Sequence, residues 1–263
     1  FHILDVLVDA VSVGAVGTYT FTDVQTNHTI AASFAPNALS TTPVTGLAAA
    51  QVRTGNDGDG TTKVTLTFTA PGTAAAVEVW RKGYGNYPLY DNPPSPGSVP
   101  PPPGSYPPAG WTLTAVTASG QTDEPATRDF WYYVAYAKDA CGNAAAASNV
   151  TTGTLDYHLG DVSDGVTPGQ GDNKVTTLDI SLLGAHYGLS GGALAGFEYL
   201  DVGPTTTFTV HGRPTTDSKT DFEDLVMFAL NYFPHASLAT APASGTPALA
   251  AAARDEISLQ ALQ

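Results

Sequence analysis

Apolar and polar residues alternate over several short stretches of the chain, which is the pattern of half-buried β-strands. In residues 63–69 the side chains of Val64, Leu66 and Phe68 share one face, and the strongest strand pattern is residues 130–138. The chain has 27 Gly and 20 Pro, which favours short strands joined by turns. The sequence therefore predicts a mainly β fold. The predicted strands are residues 6–8, 11–13, 19–21, 28–34, 63–69, 76–80 and 130–138.

The first 35 residues contain four of these strands, and Gly14 and Gly17 mark turns that predict two hairpins. Three or four short strands bury little apolar surface. This stretch resembles the closing half of β-repeats found in bacterial surface proteins, with the opening strands missing. An incomplete sheet has unpaired edges that invite pairing with another chain. We therefore assign residues 1–36 as an incomplete β unit and a candidate for strand exchange.

The spacing of apolar residues becomes helical in residues 177–187 and 220–233. Thr220 and Glu223 form the pattern of a capping box, which predicts that the second helix begins there. The tail of residues 236–263 is rich in Ala, Pro, Ser and Thr. It is predicted to be a linker with a terminal segment, residues 256–262, that forms either a strand or a helix.

The charge of the chain excludes several classes of partner. Ten basic residues against 24 acidic ones give a net charge of −14, which repels phosphate backbones and anionic lipid. No stretch has the roughly 18 consecutive apolar residues of a membrane span. Nucleic-acid binding and membrane insertion are therefore not expected. The acidic residues are concentrated in residues 156–234, which contain 11 Asp or Glu and three Lys or Arg.

This acidic region contains an internal duplication, in which an Asp-lined loop precedes each predicted helix. The aligned pairs are Asp161 with Asp201, Asp172 with Asp217, Lys174 with Lys219, and Asp179 with Asp224. Ca²⁺ takes six to eight oxygen ligands from such a loop, closed by a carboxylate at the start of the helix. The sequence therefore predicts a Ca²⁺ cofactor, with the two lysines contributing backbone carbonyls. The predicted ligands are Asp161, Ser163, Asp172, Lys174, Asp179, Asp201, Asp217, Lys219, Asp221 and Asp224.

Residues 156–235 resemble a type I dockerin, in which two loop–helix calcium repeats end in Asp and not in the Glu of an EF-hand. The resemblance implies a small helical calcium domain and a cohesin-like receptor as partner. The chain departs from the family by seven extra residues in the first loop and twelve in the second. It also has Asn173 and Ser218 in place of the loop glycine. Asn tolerates the left-handed backbone that this glycine adopts, and Ser tolerates it less well.

Residues 44–155 resemble a fibronectin type III domain. Residues 132–139 match its penultimate strand, Gly142 and Asn143 its turn, and residues 148–150 the entry to its last strand. The resemblance implies a β-sandwich, assigned to residues 37–155. The Pro-rich insert at residues 92–108 is longer than the usual loop and predicts a stiff polyproline spacer. This insert is either a tolerated surface loop or a loop that docks a partner or bears a glycan.

Other motifs carry less information. Asn27 and Asn149 fit the N-glycosylation pattern. Residues 56–60, with two Asp and two Gly, are expected to form a turn, although they could hold a cation. Cys141 is the only cysteine and lacks the basic neighbours that activate a thiol. The chain contains no nucleophile elbow, phosphate loop or dinucleotide fingerprint, so an enzyme is not expected.

These observations favour a secreted or cell-surface structural protein, stabilised by Ca²⁺, that assembles with copies of itself into a filament or surface layer. An alternative is an adaptor whose dockerin-like pair anchors a secreted protein to a cohesin scaffold. A third hypothesis is binding of surface glycans by exposed aromatic side chains. The aromatic residues considered for that role are Trp80, Tyr84, Tyr87, Tyr90 and Trp111.

Overall fold

The computed structural model describes residues 1–38 and 40–232. Within these residues the fold is mainly β, with ten strands in three antiparallel sheets and two short α-helices. The predicted mainly β class is confirmed. The predicted tail of residues 236–263, and the predicted end of the second helix at residue 233, lie outside the described residues. Neither described helix is long and apolar enough to cross a membrane.

The N-terminal sheet has three strands in the order β2–β1–β3, namely β1 (His2–Val8), β2 (Val11–Gly14) and β3 (Ile30–Ala35). β1 and β2 form a hairpin whose turn residues, Asp9 and Ala10, have φ of 50° and 65°. These left-handed values match the turn that joins twisted strands most tightly.

The predicted strand at residues 19–21, and with it the second hairpin, is wrong. Tyr19 contacts Phe21 edge-on with ring centroids 5.0 Å apart, and Phe21 stacks on His28 at 4.8 Å. These aromatic contacts hold the segment as a loop between β2 and β3. The alternation of Tyr and Phe therefore reflects local ring packing and not pairing with a neighbouring strand.

The N-terminal sheet buries little apolar surface. Val6 and Val8 are its buried apolar side chains, at 4% and 8% exposure. Ile30 and Phe34, on one face of β3, are 58% and 60% exposed. β2 and β3 each pair along one edge only within the described residues. The sheet therefore leaves two edges and part of its apolar surface uncovered.

Two further sheets share one core. One has the order β4–β5–β8 and the other β10–β9–β6–β7. The predicted one-faced alternation is confirmed in β5 and β6, where Val64, Leu66, Val77 and Val79 are buried between the sheets. The strands are β4 (Thr45–Gln51), β5 (Val64–Thr69), β6 (Ala76–Gly83), β7 (Thr112–Leu113), β8 (Thr122–Asp123), β9 (Phe130–Lys138) and β10 (Thr154–Leu155).

β9 is buried on both faces, which explains why its sequence is almost continuously apolar. Tyr133 and Ala135 point into the core between the two sheets, and both are 0% exposed. Tyr132, Val134 and Tyr136 point to the opposite face and pack in a second core. This second core also contains apolar side chains from the acidic duplicated region, so that region packs directly on the β unit.

The Pro-rich insert packs against the same outer face and does not stand off as a spacer. Tyr90 and Trp111, on either side of it, are buried at 1% and 8% exposure. Tyr106 lies within it, its ring 5.2 Å from that of Tyr136, and its hydroxyl donates to Glu78 at 2.7 Å. Aromatic packing onto β6 and β9 therefore holds the insert against the β unit.

A short network joins the N-terminal sheet to the β unit. The side-chain amide of Asn37 donates to the sulfur of Cys141 at 2.8 Å, and Cys141 is exposed. The backbone N–H of Ser40 donates to Asp139 at 3.2 Å. Asp139 also accepts the backbone N–H of Cys141 at 2.9 Å. The turn after β9 therefore ties down the segment that follows β3.

The two helices are α1 (Thr177–Ala185) and α2 (Phe222–Asn231). The predicted extension of α1 to residue 187 is wrong by two residues. The predicted capping box of α2 is displaced by one residue, because the cap is Asp221 with Asp224 three residues on. Thr220 instead donates its hydroxyl proton to the carbonyl of His186 at 2.6 Å. Leu178, the first apolar residue of the helical spacing in residues 177–187, is 55% exposed.

Candidate metal centre

The two acidic loops close in the same way, despite insertions of different length. The carboxylate of Asp161 accepts the backbone N–H groups of Asp172 and Asn173 at 2.9 and 3.0 Å. In the second copy Asp201 accepts those of Asp217 and Ser218 at 3.0 and 2.7 Å. The first Asp of each copy therefore draws the two ends of its loop together across the insertion.

A second carboxylate ties each loop to the start of its helix. Asp179 accepts the backbone N–H groups of Val162 and Ser163 at 2.8 and 2.9 Å. Asp224 accepts those of Val202 and Gly203 at 2.7 and 2.9 Å.

Asp179 and Asp224 also accept the backbone N–H of their own N-cap residues, Thr176 and Asp221, at 2.7 and 2.8 Å. Each carboxylate therefore satisfies backbone groups on both the loop and the helix.

The backbone at the position of the loop glycine is left-handed in both copies, although neither residue is Gly. Asn173 has φ of 65° and Ser218 has φ of 63°. Such values are uncommon for residues other than Gly, and Asn is enriched among the exceptions. Both loops therefore have left-handed backbone at the position where the resemblance implies a glycine.

The two copies also pair across their interface. Val175, just before α1, forms a parallel bridge with Tyr232, just after α2. Thr220, just before α2, exchanges backbone hydrogen bonds with Gly188 and Leu189, just after α1, at 2.7 and 3.0 Å. Each loop is thus held by the end of the other copy, and the duplication in the sequence is a duplication in the structure.

The two copies differ in the side chain that contacts the first aspartate of the loop, Asp161 or Asp201. Asp161 is 0% exposed, and its Oδ2 lies 2.7 Å from Nη2 of Arg128. The same guanidinium donates through Nε to the carbonyl of Gly60 at 2.7 Å and through Nη1 to the carbonyl of Asp161 at 2.5 Å. Arg128 precedes β9 and lies 33 positions before Asp161. It was not among the predicted site residues, because nothing in the duplicated pattern points to it.

Asp201, the matching residue, has no such partner. It is 2% exposed, and its Oδ1 has no hydrogen-bond partner among the described residues. Burial, and then the nearby charge of Asp224, raise the pKa of Asp201 to about 7. A buried carboxylate oxygen without a donor is unfavourable unless a cation, water or proton satisfies it. The second loop therefore has an oxygen available to a cation.

The remaining predicted ligands lie at the surface of the loops. Asp172 and Asp217 pair with Lys174 and Lys219, the lysines two residues on. The hydroxyl of Ser163 accepts the backbone N–H of Gly165 at 3.2 Å. Within the described residues, neither loop brings three of its acidic side chains within 4.8 Å of one another. The assignment of all ten residues as calcium ligands stays a prediction.

Three acidic side chains outside the two loops do have carboxylate oxygens within 4.8 Å of one another. They are Asp57, Asp59 and Glu124, and all three are exposed. Asp59 accepts the backbone N–H of Thr61 at 2.9 Å, as expected of the predicted turn. That hydrogen bond lowers the pKa of Asp59. Glu124 was not singled out from the sequence, since only the pairing of β5 with β8 brings it close to this turn.

The predicted glycosylation sites differ in their surroundings. Asn27 is exposed in the loop before β3. The side-chain amide of Asn149 bonds both backbone groups of Leu47, at 2.8 and 3.1 Å. That pairing holds residue 149 against β4. Both residues are exposed, but the Asn149 amide is engaged by the backbone of Leu47.

The aromatic residues considered for glycan binding mostly pack in the second core. Tyr90 and Trp111 are buried, and Trp80, Tyr84 and Tyr87 pack partly buried against that core. The hydroxyl of Tyr90 bonds that of Tyr157 at 2.9 Å. These rings therefore join the β unit to the duplicated region.

No protein-family model, curated protein or solved structure matches this chain.

Replacing Ser218 by Gly is expected to raise the free energy of unfolding by up to about 1 kcal/mol, because Gly adopts positive φ without a clash at Cβ. The backbone N–H of residue 218 keeps its bond to Asp201. Chemical denaturation of Ser218→Gly and Ser218→Ala measures this. Equal gains in both variants would contradict the role of backbone strain.

A buried carboxylate outside the loops predicts how stability depends on pH. Asp156 is 0% exposed and accepts the backbone N–H of Asp129 at 2.9 Å. Burial raises the pKa of Asp156 to about 8, from an ordinary value near 3.8. The folded chain therefore keeps a proton at neutral pH that the unfolded chain releases. This contribution to stability is complete below about pH 4 and is lost as the pH rises through about 8.

The free energy of unfolding in EDTA is thus expected to fall between pH 5 and pH 8. Asp156→Asn should reduce this slope, since Asn does not titrate. Asp164→Asn is the control, because Asp164 is exposed and its pKa is lowered. Urea denaturation at several pH values measures the slope, and an unchanged slope in Asp156→Asn would contradict the assignment.

Proposed function

We propose that the chain is a non-enzymatic extracellular structural protein that assembles with copies of itself by adding strands between neighbouring subunits. The observation that supports this most directly is the uncovered N-terminal sheet. Its outer strands, β2 and β3, have backbone edges that no described strand pairs, and a strand with a free edge readily pairs with another chain.

The apolar surface of this sheet supports the same proposal. Ile30 and Phe34 expose more than half of their side-chain surface on β3, and Leu4 and Val11 do so on β1 and β2. A three-stranded sheet without a covered face is marginally stable alone. Addition of a strand from a neighbouring copy to β3 satisfies that edge and places cross-strand side chains beside Ile30 and Phe34.

The proposal takes a second copy of this chain as the partner. The contact is head to tail, since the sheet edge of one copy receives a strand from another part of the next. Such contacts produce open filaments when the rotation between copies does not close into a ring. The terminal segment at residues 256–262, with Ile257, Leu259 and Ala261 at alternate positions, is the donor that the sequence offers.

Calcium binding by the duplicated region belongs to the same proposal. The unpartnered oxygen of Asp201 and the nearby Asp217, Asp221 and Asp224 support one ion in the second loop. In this proposal residues 156–235 form a dockerin-like pair and residues 44–155 a fibronectin type III-like sandwich. The ion then stabilises a pair that packs on the outer face of β9.

Disruption of the sheet surface is expected to prevent assembly. Ile30→Lys/Phe34→Lys should abolish filaments or sheets in negative-stain images, because two charges on the edge strand oppose pairing. Both side chains are exposed, so the melting temperature should change little. Val99→Lys/Val166→Lys is the matched control, at valines that are 63% and 85% exposed outside the sheet.

The control variant should assemble like the wild type. Unchanged polymers in Ile30→Lys/Phe34→Lys, and in a chain that lacks residues 1–35, would refute assembly through this sheet.

Calcium is expected to raise the melting temperature and EDTA to lower it, because a ligand bound only by the folded state stabilises that state. An ion at 100 times its Kd contributes about 2.7 kcal/mol. For a chain of this size, each kcal/mol corresponds to about 2–4 °C. Differential scanning calorimetry with Ca²⁺, Mg²⁺ and EDTA measures the shift, and melting that is insensitive to all three would contradict calcium binding.

The adaptor hypothesis remains the second candidate, because the cross-paired loop–helix repeats are the feature that resembles a dockerin. It requires a calcium-dependent one-to-one complex with a cohesin. The helix pair here packs partly on the chain's own β unit, which leaves less of its surface for a receptor. Pull-down with cohesins before and after chelation separates the adaptor from the self-assembling subunit.

A further inference from the structure

We infer that the guanidinium of Arg128 takes the place of a metal ion in the first loop, so that the chain holds its calcium in the second loop alone. The part about the second loop rests on the calcium binding proposed above. The part about Arg128 rests on the contacts of the first loop.

The two loops differ in the hydrogen bonds that the oxygens of Asp161 and Asp201 accept. In Asp161, Oδ1 accepts the N–H of Asp172, and Oδ2 accepts that of Asn173 and the guanidinium of Arg128. In Asp201, Oδ2 accepts both loop N–H groups and Oδ1 accepts none among the described residues. The two closing N–H bonds are common to both loops, and the arginine contact is found in the first. The first loop also has an unpartnered buried oxygen, Oδ1 of Asn173, but that side chain is held by the turn before β5, where its amide donates to the carbonyl of Asp57 at 2.6 Å.

The first loop encloses this side chain closely. Arg128 is 9% exposed and bonds two carbonyl groups as well as the carboxylate. A Cβ at Gly171 would lie 1.9 Å from its Nη2, and a Cβ at Gly60, where φ is +86°, would lie 2.9 Å from the same atom. Only residues without a side chain fit at these two positions. The loop and the turn before β5 together form a fitted site for a guanidinium.

A metal ion in this loop would compete with that arrangement. Ca²⁺ needs six to eight oxygens, and Oδ2 of Asp161 could supply one only by leaving Arg128. That exchange would leave the buried guanidinium of Arg128 without its carboxylate and place it beside a divalent cation. Both effects oppose binding, since an unpaired buried charge and close like charges are each strongly unfavourable.

The two copies are therefore stabilised in different ways. Arg128 precedes β9, so the first loop is fastened permanently to the β unit. Among residues 1–38 and 40–232, no arginine takes the equivalent position in the second loop, which depends on an ion from solution. Calcium then controls one half of the duplicated region, while the other half stays docked.

Calcium stoichiometry tests this inference with variants at matched positions. Asp172 and Asp217 occupy the same place in the two loops, with side chains 32% and 42% exposed. Isothermal titration of the full chain with Ca²⁺ should give one ion. Asp217→Asn should weaken binding about tenfold or more, and Asp172→Asn should leave it unchanged. Two ions in the wild type, or weakening by Asp172→Asn alone, would overturn the inference.

Removal of the arginine gives the second test. Arg128→Gln should bind one ion more than the wild type, because the first loop regains a free carboxylate oxygen. Arg81→Gln is the matched control, since Arg81 pairs with Asp123 at 2.7 Å within the β unit. The control should keep the wild-type stoichiometry. A folded Arg128→Gln chain that gains no ion would overturn the inference.

The two tests separate this inference from the proposed calcium function. A wild type that binds no ion overturns calcium binding by the second loop, and Arg128→Gln then decides the role of Arg128 by itself. If Arg128→Gln does not fold, the wild-type stoichiometry and the Asp172 and Asp217 pair still decide.

Discussion

The packing of β9 on both faces is the constraint on which the rest of the structure depends. Tyr133 and Ala135 fill the core between the two sheets, while Tyr132 and Val134 fill the core beneath the duplicated region. A strand buried in this way cannot alternate apolar with polar residues. Because the two cores share this strand, the β unit and the helix pair form one continuous packed body.

The duplicated region shows how carboxylates serve structure and ion binding together. Asp161, Asp179, Asp201 and Asp224 are buried and accept backbone N–H groups that the loops would otherwise leave unsatisfied. Burial raises the pKa of Asp161 to about 6, and Arg128 opposes that rise. The two matching aspartates therefore differ. Asp161 is paired with the guanidinium of Arg128, whereas Asp201 keeps one oxygen without a partner among the described residues.

The sequence predicted the parts of the fold whose pattern is local. β5, β6 and β9 follow from apolar spacing, and the left-handed turns at Asn173 and Ser218 lie where the family resemblance implies a loop glycine. The local pattern also gave one wrong prediction. Residues 19–21 alternate like a strand but form a loop in which the aromatic rings contact one another. The cap of α2 was displaced because Thr220 and Asp221 are both good caps, and the contact with His186 decides between them.

The role of Arg128 and the closeness of Glu124 to Asp57 could not be predicted, because tertiary packing alone brings together residues that are distant in the chain. Packing of distant residues also brings Cys141 to the junction between the N-terminal sheet and the β unit. This thiol is exposed, is the only one in the chain, and touches Asn37 where the N-terminal sheet joins the β unit. A fluorophore attached there would occupy one defined position, and its emission would respond to any swing of the sheet relative to the body.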